Sequence, residues 1–323
     1  MKKSFFDKIK IFNSKETKKY CSIINSGLIF TEDNKITLCK KSKEDYTIVS
    51  DFNGLWLDTA KIKDAITYYK SLPLSESCSA CCYLLKDYKS ENSSLDFVIF
   101  SHWKSCFLHC IYCKEEKTDD LLTVKHSDIS PVVQQLIDDG LITKDTVIIF
   151  ECGDAILHPE FEKILYFLMN YGIKNVVIHT SALRYCQAVA DAIAKGIAKV
   201  IVSIDSGCPY IYEQIKGVNK FDLMIETVKR YISVEGKSSK NVVLNYTLVQ
   251  GVNDNKKEII DWFMLSRNLG IKKLSVDITD KWYDSIETVP THLSEIISFV
   301  SELSKLNRFE IEFSEKIKDL SKR

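Results

Sequence analysis

The sequence predicts an α/β fold, in which a partial (β/α)6 TIM barrel follows a small cysteine-rich module and precedes a helical segment. Strand-like and helix-like patterns alternate six times from residue 95 onward, and several of the helical patterns end at a glycine. Such alternation is typical of parallel strands joined by right-handed crossovers. Eleven cysteines are the second observation, and five of them precede residue 95. We expect three segments, over 1–94, 95–280 and 281–323.

Composition limits the class of protein. The chain has 323 residues, enough for one large α/β domain and a small second one. Lys plus Arg and Asp plus Glu both number 44, so we expect no nucleic-acid partner. No run of 18 apolar residues is present and charges interrupt the first ten residues, so neither a membrane span nor a signal peptide is expected. Cysteine-rich chains of this kind belong in a reducing compartment, and we expect the cytoplasm.

The barrel elements follow from periodicity and from helix end signals. Six apolar runs are predicted as strands, over 95–101, 147–150, 175–179, 199–204, 242–249 and 273–277. The intervening helices are predicted over 130–140, 160–171, 183–195, 222–232 and 256–269, with a last one over 291–306. Ser130 is the expected N-cap of the first, followed by Pro131 and stopped by Gly140. In barrels of this type, chemistry lies at the carboxyl ends of the strands.

A cysteine motif directly follows the first of these strands. Cys106, Cys110 and Cys113 are spaced C-x3-C-x2-C. Three thiolates can hold three irons of a cubane and leave the fourth without a protein ligand. The alternative is a zinc site or buried free thiols, although zinc motifs usually come as two C-x2-C pairs. The spacing resembles the signature of the radical S-adenosylmethionine (SAM) superfamily. That resemblance implies a [4Fe–4S] cluster whose open iron binds SAM, and a position for the motif at a strand end of the barrel.

A second segment of the same resemblance follows the second strand. Residues 150–159 are similar to the family's G-G-E-P segment and the stretch after it. Gly153 holds the second glycine, Cys152 stands at the first, Asp154 replaces Glu and Ala155 replaces Pro. The resemblance implies that Gly153 and Asp154 contact the amino group of SAM. An ordinary β/α loop is the alternative.

Further SAM contacts are implied around the fourth strand. Residues 203–205 resemble the family's S-I-D segment, so Ser203 and Asp205 are candidates for binding the SAM ribose. Lys216 precedes a glycine and is a candidate partner of the SAM carboxylate; a solvated lysine at a helix end is the alternative. Tyr112 resembles the aromatic residue whose backbone approaches adenine.

The segment before residue 95 resembles Twitch and SPASM auxiliary-cluster modules. Cys21 and Cys39 are separated by twelve residues, Asn34 and four more residues, and Cys78 and Cys81 form a C-x2-C pair. Four cysteines complete the ligand set of one auxiliary [4Fe–4S] cluster. Family members usually carry this module after the barrel. A structural zinc with the same ligands is the alternative, as is Cys82 in place of Cys81.

Cys208 follows the fourth strand at the expected catalytic end of the barrel. A thiol there can give a hydrogen atom to a carbon-centred radical. The architecture is similar to that of radical SAM peptide epimerases of the epipeptide type, in which a cysteine on the opposite face inverts an L-residue to D. The resemblance therefore implies an isomerase that matures a ribosomally made peptide, with Cys208 as the catalytic donor. The alternative is a small, partly buried hydrophobe.

Three functions remain open from the sequence. The first is peptide epimerisation, for which the expected partners are a peptide substrate and a reductant such as flavodoxin or ferredoxin. The second is dehydrogenation or peptide cross-linking, with the auxiliary cluster as electron acceptor. The third is a metal-binding scaffold or sensor without SAM chemistry.

Overall fold

The chain divides into two compact units. The first consists of Met1–His102 with Ser127–Ile148, and the second of Trp103–His126 with Ile149–Arg323. A computed structural model describes residues 19–21, 26–31, 35–39, 46–50, 52, 56–71, 84–86, 94–113, 128–236 and 239–321.

The first unit contains a small sheet and a separate strand pair. Its strands are β1 (Lys19–Cys21), β2 (Gly27–Thr31), β3 (Ile36–Thr37), β4 (Thr47–Val49), β5 (Leu84–Lys86) and β6 (Phe97–Ser101). Its helices are α1 (Thr59–Ser71) and α2 (Ser130–Asp138). β2 pairs with β6 in parallel and with β3 antiparallel, β3 pairs with β4 antiparallel, and β1 pairs with β5.

The strand β2 is a departure from the predicted arrangement, because it adds a parallel neighbour to the first predicted barrel strand. All five of its residues are buried, and its apolar run Leu28–Phe30 accounts for that burial. Its partner β6 also has a buried core, formed by Val98 and Phe100. A short apolar run gives no signal for its sheet partner, so the sequence did not indicate this pairing.

The second unit is a parallel sheet with helices between successive strands. The division between the units falls within β7 (Val147–Phe150). The remaining strands are β8 (Asn175–Thr180), β9 (Ala198–Ser203), β10 (Ser239–Leu248), β11 (Ile271–Ile278) and β12 (Glu310–Phe313). They lie side by side in that order, and each neighbouring pair is parallel. The helices are α3 (Phe161–Tyr171), α4 (Gln187–Ala194), α5 (Pro209–Lys216), α6 (Phe221–Ser233), α7 (Lys256–Asn268), α8 (Asp280–Asp284), α9 (Thr291–Asn307) and α10 (Glu315–Leu320).

Local signals explain where these helices begin and end. In α7 the side chain of Asn255 accepts a hydrogen bond from the Glu258 amide, which caps the first turn. α3 ends at Gly172, whose φ of 93° requires the left-handed region that glycine tolerates. Ser130 is the first helical residue of α2 rather than its cap, a shift of one position of the kind expected at helix ends.

The α/β fold with a mainly parallel sheet is confirmed. The segment 281–323 is more than helical, however, because β12 lies within it and pairs with β11. Its burial is only partial, which left a weak sequence signal. Within the described residues, we find no helix both long enough and apolar enough to span a membrane.

We expect His102, which follows β6, to make the stability of the protein depend on pH. Its ring nitrogens are buried, and burial lowers its pKa from 6.5 to about 4. The unfolded chain takes up a proton near pH 6.5 while the folded chain stays neutral, so stability is lost as pH falls through that window. The free energy of unfolding, measured with urea, should fall by about 2 kcal/mol between about pH 7.5 and about pH 5 because of this residue. His102→Gln should lack that part of the loss, and an unchanged slope would contradict the assignment.

Candidate active site

Buried polar residues lie in the segments that follow four neighbouring strands of the sheet. The segments after β7, β8, β9 and β10 carry Asp154, Ser181, Asp205 and Asn253 respectively, and all four side chains are buried. The carboxyl ends of parallel strands share one edge of a sheet, and that edge is where α/β barrels place their chemistry. Within the second unit, the loop of residues 103–113 contacts several of these segments.

The three motif cysteines lie on this loop with different exposures. Cys106 and Cys110 are half-buried, whereas Cys113 is exposed. The Leu108 amide donates to Cys106 Sγ over 3.4 Å, and the Cys113 amide donates to the Cys110 carbonyl over 3.0 Å. The loop therefore turns tightly between its second and third cysteines.

The end of α5 holds the loop in place. The amides of His109 and Ile111 donate to the carbonyls of Lys216 and Ile215 over 2.8 and 2.9 Å. These carbonyls lie in the last turn of the helix, where no further helical amide is available to them. Gly217 follows with φ 69°, and a Cβ at this glycine would lie 2.8 Å from the His109 carbonyl oxygen. The approach of the loop to α5 thus requires a glycine at this position.

The start of the loop packs against the segment after β7. Cys152 and Gly153 both have positive φ, of 70° and 57°. A Cβ on Gly153 would lie 2.5 Å from the Trp103 carbonyl oxygen and 2.6 Å from that of Ser105. The amide of Asp154 then donates to the Ser105 carbonyl over 2.7 Å. A glycine is needed here both for its backbone angle and for the close contact.

The Asp154 carboxylate is fully engaged by the end of β8. Thr180 Oγ1 donates to Oδ1 over 2.9 Å, while the amide and the hydroxyl of Ser181 both donate to Oδ2. Burial raises the pKa of Asp154, although these hydrogen bonds oppose the rise. The side chain predicted to bind the SAM amino group therefore joins the ends of two strands.

Three of the predicted SAM-binding residues, Tyr112, Asp205 and Lys216, form one hydrogen-bonded cluster. Asp205 Oδ2 accepts from Lys216 Nζ over 2.5 Å and from the Tyr112 hydroxyl, and Lys216 Nζ also lies 3.1 Å from that hydroxyl. Asp205 and Lys216 are both 0% exposed. Burial alone lowers the pKa of Lys216, but the charges of Asp205 and Cys110 outweigh it and raise the value. The alternative of a solvated lysine at a helix end is therefore wrong.

Residues from β10 and the following loop position Asp205. Its backbone has φ 58°, and its Oδ1 accepts from the Thr247 amide over 2.8 Å. Asn253 Nδ2 donates to the carbonyls of Asp205 and Thr247, and its Oδ1 accepts from the Val249 amide. The strained backbone of Asp205 is stabilised by these bonds.

Ser203 and Cys208 are the remaining predicted residues of this unit. Ser203 ends β9, is half-buried and lies beside Asn245 of β10. Cys208 is half-buried and precedes α5, and its amide donates to Ser206 Oγ over 2.9 Å. Ser206 Oγ in turn lies 3.2 Å from Glu258 Oε2 of α7. These contacts fix the backbone from which the Cys208 thiol extends.

The comparison with known families decides the class of this site. The model of the Radical SAM superfamily matches residues 100–263, about half of the chain. The chain belongs to the Radical SAM superfamily. The match covers the loop of the three cysteines and the segments after β7, β8, β9 and β10. The superfamily assignment made from the sequence is thus confirmed.

Relatives and solved structures resemble the chain only in part. GTP 3',8-cyclase of Haemophilus influenzae is 29% identical over 160 residues, and that of Vibrio parahaemolyticus is 26% identical over 159; each match covers 47% of this chain and 45% of the relative. The chain therefore spans about half the length of these relatives. Streptococcus suis SuiB bound to SAM is 17% identical with a TM-score of 0.50, covering 68% of this chain and 50% of SuiB. SuiB bound to precursor peptide SuiA is 14% identical with a TM-score of 0.53, covering 87% and 59%. These structures support the fold.

The donor set of the loop, three cysteines, fits a [4Fe–4S] cluster in this radical SAM protein. Among the described residues, no three His, Cys, Asp or Glu side chains are grouped to hold one metal ion. A cubane has a different requirement, because each thiolate binds a different iron. Cys106 and Cys110 are half-buried, and Cys110 lies close enough to Lys216 for its charge to raise the pKa of that lysine.

Of the predicted auxiliary ligands, the structure describes Cys39 and the backbone of Cys21. Cys39 is half-buried, and its amide donates to Thr37 Oγ1 over 3.2 Å. Cys21 ends β1 opposite Leu84, with a side chain outside the described part of the structure. Cys78, Cys81 and Cys82 lie outside the described residues. An auxiliary cluster, or a zinc in its place, stays a prediction.

Sequence reasoning missed several residues of the site. Thr180 and Ser181 bind Asp154, Asn253 supports Asp205, and Tyr212 lies buried on α5. One local signal was available, because Cys208, Tyr212 and Lys216 are spaced by four and so share one side of a helix. The other contacts join segments far apart in sequence and gave no local signal.

Proposed function

We propose that the protein is a radical SAM enzyme in which Cys106, Cys110 and Cys113 hold a [4Fe–4S] cluster. The observation that carries this proposal is the fixed loop of three cysteines, docked on the last turn of α5. When bound, and given one electron by a reductant such as flavodoxin or ferredoxin, the cluster would split SAM into methionine and a 5′-deoxyadenosyl radical able to remove a hydrogen atom from the substrate. The polypeptide's part is to hold SAM, orient the substrate and exclude water.

For SAM binding we favour different tasks within the predicted set. Gly153 and Asp154 carry the backbone that faces the loop, and Ser203 keeps part of its surface exposed at the end of β9. Asp205 and Lys216 are fully buried and bonded to each other and to Tyr112. We therefore assign the ribose contact to Ser203, and we assign the support of the loop to the bonded set of Tyr112, Asp205 and Lys216.

As substrate we propose a peptide, with inversion of one L-residue to D. After removal of the Cα hydrogen, the Cys208 Sγ–H bond would break homolytically and deliver its hydrogen atom to the opposite face of the Cα radical. The resulting thiyl radical needs one electron and one proton to return to a thiol. A one-electron reductant such as flavodoxin or ferredoxin would supply that electron, directly or through an auxiliary cluster.

The position of Cys208 supports a role distinct from cluster binding. It precedes the first turn of α5, whereas the cysteine loop docks on the last turn of the same helix. Eight helical residues separate the two ends, which corresponds to about 12 Å along the axis. Its side chain makes no capping hydrogen bond, so the thiol is not needed to hold the helix end.

A reaction in deuterated water tests this proposal. The anaerobic mixture would contain SAM, a reductant and peptides encoded by short reading frames near the gene. We expect one deuterium at Cα, a D-residue on hydrolysis, and one 5′-deoxyadenosine per turnover. Cys208→Ala should still form 5′-deoxyadenosine while making no D-residue, because only the second hydrogen transfer is lost.

A thiol elsewhere serves as the matched control. Cys186 is a buried free cysteine, so Cys186→Ala should leave epimerisation intact. Normal D-residue formation by Cys208→Ala would contradict the donor role. Loss of two hydrogens without deuterium uptake would instead indicate dehydrogenation or cross-linking.

A purine nucleotide is the second candidate substrate. Its support is the 29% identity to a GTP 3',8-cyclase over 160 residues. The same reaction with GTP in place of peptide separates the two proposals. A new nucleotide product that depends on SAM, with peptides left unchanged, would replace the epimerase proposal.

A further inference from the structure

Tyr212 lies in the middle of α5, four residues after Cys208 and four before Lys216. It is 0% exposed, and its ring packs edge-on against Phe221 with centroids 5.4 Å apart. The proposed mechanism gives this residue no task. A buried tyrosine nonetheless usually finds a partner for its hydroxyl.

The hydroxyl of Tyr212 has no hydrogen-bond partner among the residues that the structure describes. An unpaired buried hydroxyl lowers the stability of the folded protein, so its presence needs a physical reason. The neighbouring Lys216 and Asp205 are already bonded to each other and to Tyr112. A bound group is a class of partner that the described residues leave open to this hydroxyl.

Tyr212 shares one side of α5 with Lys216, and that side meets the cysteine loop. Lys216 Nζ lies 3.1 Å from the hydroxyl of Tyr112, which stands between the second and third motif cysteines. Burial raises the pKa of Tyr212 well above its ordinary value, Lys216 opposes the rise, and Cys110, Asp205 and Cys106 add to it. Tyr212 therefore lies on the side of α5 that faces the cysteine loop, and its side chain is closed to solvent. A neutral donor in such a place favours an anionic acceptor.

We propose that the Tyr212 hydroxyl donates a hydrogen bond to a sulfur atom of the [4Fe–4S] cluster and thereby raises its reduction potential. This inference rests on the proposed function, because it requires a cluster on Cys106, Cys110 and Cys113. Hydrogen bonds to cluster sulfurs are among the determinants of potential. The reduced cluster carries one more negative charge and accepts the bond more strongly, so the bond favours reduction.

The test is a redox titration of the anaerobically reconstituted full chain, followed by electron paramagnetic resonance without SAM. For Tyr212→Phe we expect the ratio of reduced to oxidised cluster to fall about tenfold at a fixed potential, or about 59 mV for a one-electron couple. Tyr231→Phe is the matched control. Its hydroxyl is equally buried but accepts from the Cys186 amide, so no shift is expected.

Each outcome has a distinct meaning. If wild-type protein binds no iron at the three cysteines, the proposed function fails. If the cluster forms and Tyr212→Phe titrates like wild type, this inference is overturned while the proposed function stands. A shift that appears only after SAM is added would also overturn it, because the hydroxyl would then bind SAM.

Two further measurements test the inference even if Tyr212→Phe incorporates the cluster poorly. Without iron, Tyr212→Phe should unfold at no lower urea concentration than wild type, since an unpaired hydroxyl is removed; a lower midpoint would mean that the hydroxyl has a protein partner. Incorporation of 3-fluorotyrosine at position 212 keeps the shape and strengthens the donor. It should move the potential upward, and a downward or absent shift would contradict the hydrogen bond.

Discussion

Single replacement of Cys106, Cys110 or Cys113 by Ala should abolish formation of 5′-deoxyadenosine from SAM. Each thiolate is expected to bind a separate iron, so the loss of one leaves a cubane with two protein ligands. The expected signal is complete loss of 5′-deoxyadenosine in a chromatographic assay with dithionite. Total iron should fall by about four atoms per chain in each variant.

The iron count also tests the auxiliary site. Wild-type protein reconstituted anaerobically should hold about eight irons if Cys21, Cys39, Cys78 and Cys81 bind a second cluster. About four irons together with one zinc would favour a structural zinc at that site. Cys186→Ala is the control, since this buried thiol is not part of the motif and precedes the first residue of α4. Persistent 5′-deoxyadenosine in the three motif variants would disprove the SAM chemistry.

The motif cysteines and the parallel strands could be predicted because their signals are local. A C-x3-C-x2-C spacing is visible within eight residues, and apolar runs such as 147–150 identify buried strands directly. The same reasoning failed to indicate that β2 pairs with β6, because strand pairing depends on segments far apart in the chain. The residues of β12 are only partly buried, so this strand has no clear run of apolar residues in the sequence.

The burial of Lys216 could not be predicted from the sequence, for a physical reason. Lysine is rarely fully buried unless it is paired, so a lysine at a helix end predicts solvation. The partner is Asp205, eleven residues earlier, and the turn between β9 and α5 brings the two together. Only the folded backbone, with Asp205 at positive φ, makes that pairing available.

The helix α5 connects the proposed parts of the site. Cys208 lies before its first turn, Tyr212 in the middle, and Lys216 in the last turn, whose carbonyls bind the cysteine loop. A displacement of this helix would move the proposed hydrogen donor and the loop together. The buried ion pair at its end is therefore expected to govern both the stability of the fold and the geometry of the loop.

Lys216→Met should lower the free energy of unfolding by about 3–5 kcal/mol, because it leaves the Asp205 carboxylate buried without its cation. Tyr112 and the Thr247 amide would still donate to that carboxylate, but neither carries charge. Urea unfolding of the metal-free protein at neutral pH gives the measurement. Protection of the His109 and Ile111 amides from hydrogen exchange should fall in parallel, since both bind carbonyls at this helix end.

Two variants separate the charge from the packing of the side chain. Asp205→Asn combined with Lys216→Met removes both charges, so the double variant should be more stable than Lys216→Met alone. Lys199→Met breaks a 2.7 Å pair with Glu312 whose side chains are each 20% exposed, and a much smaller loss is expected. If Lys216→Met and Lys199→Met lost equal stability, the buried pair would not support the loop as we infer. If the double variant were the less stable, lost packing rather than the unpaired carboxylate would be the cause.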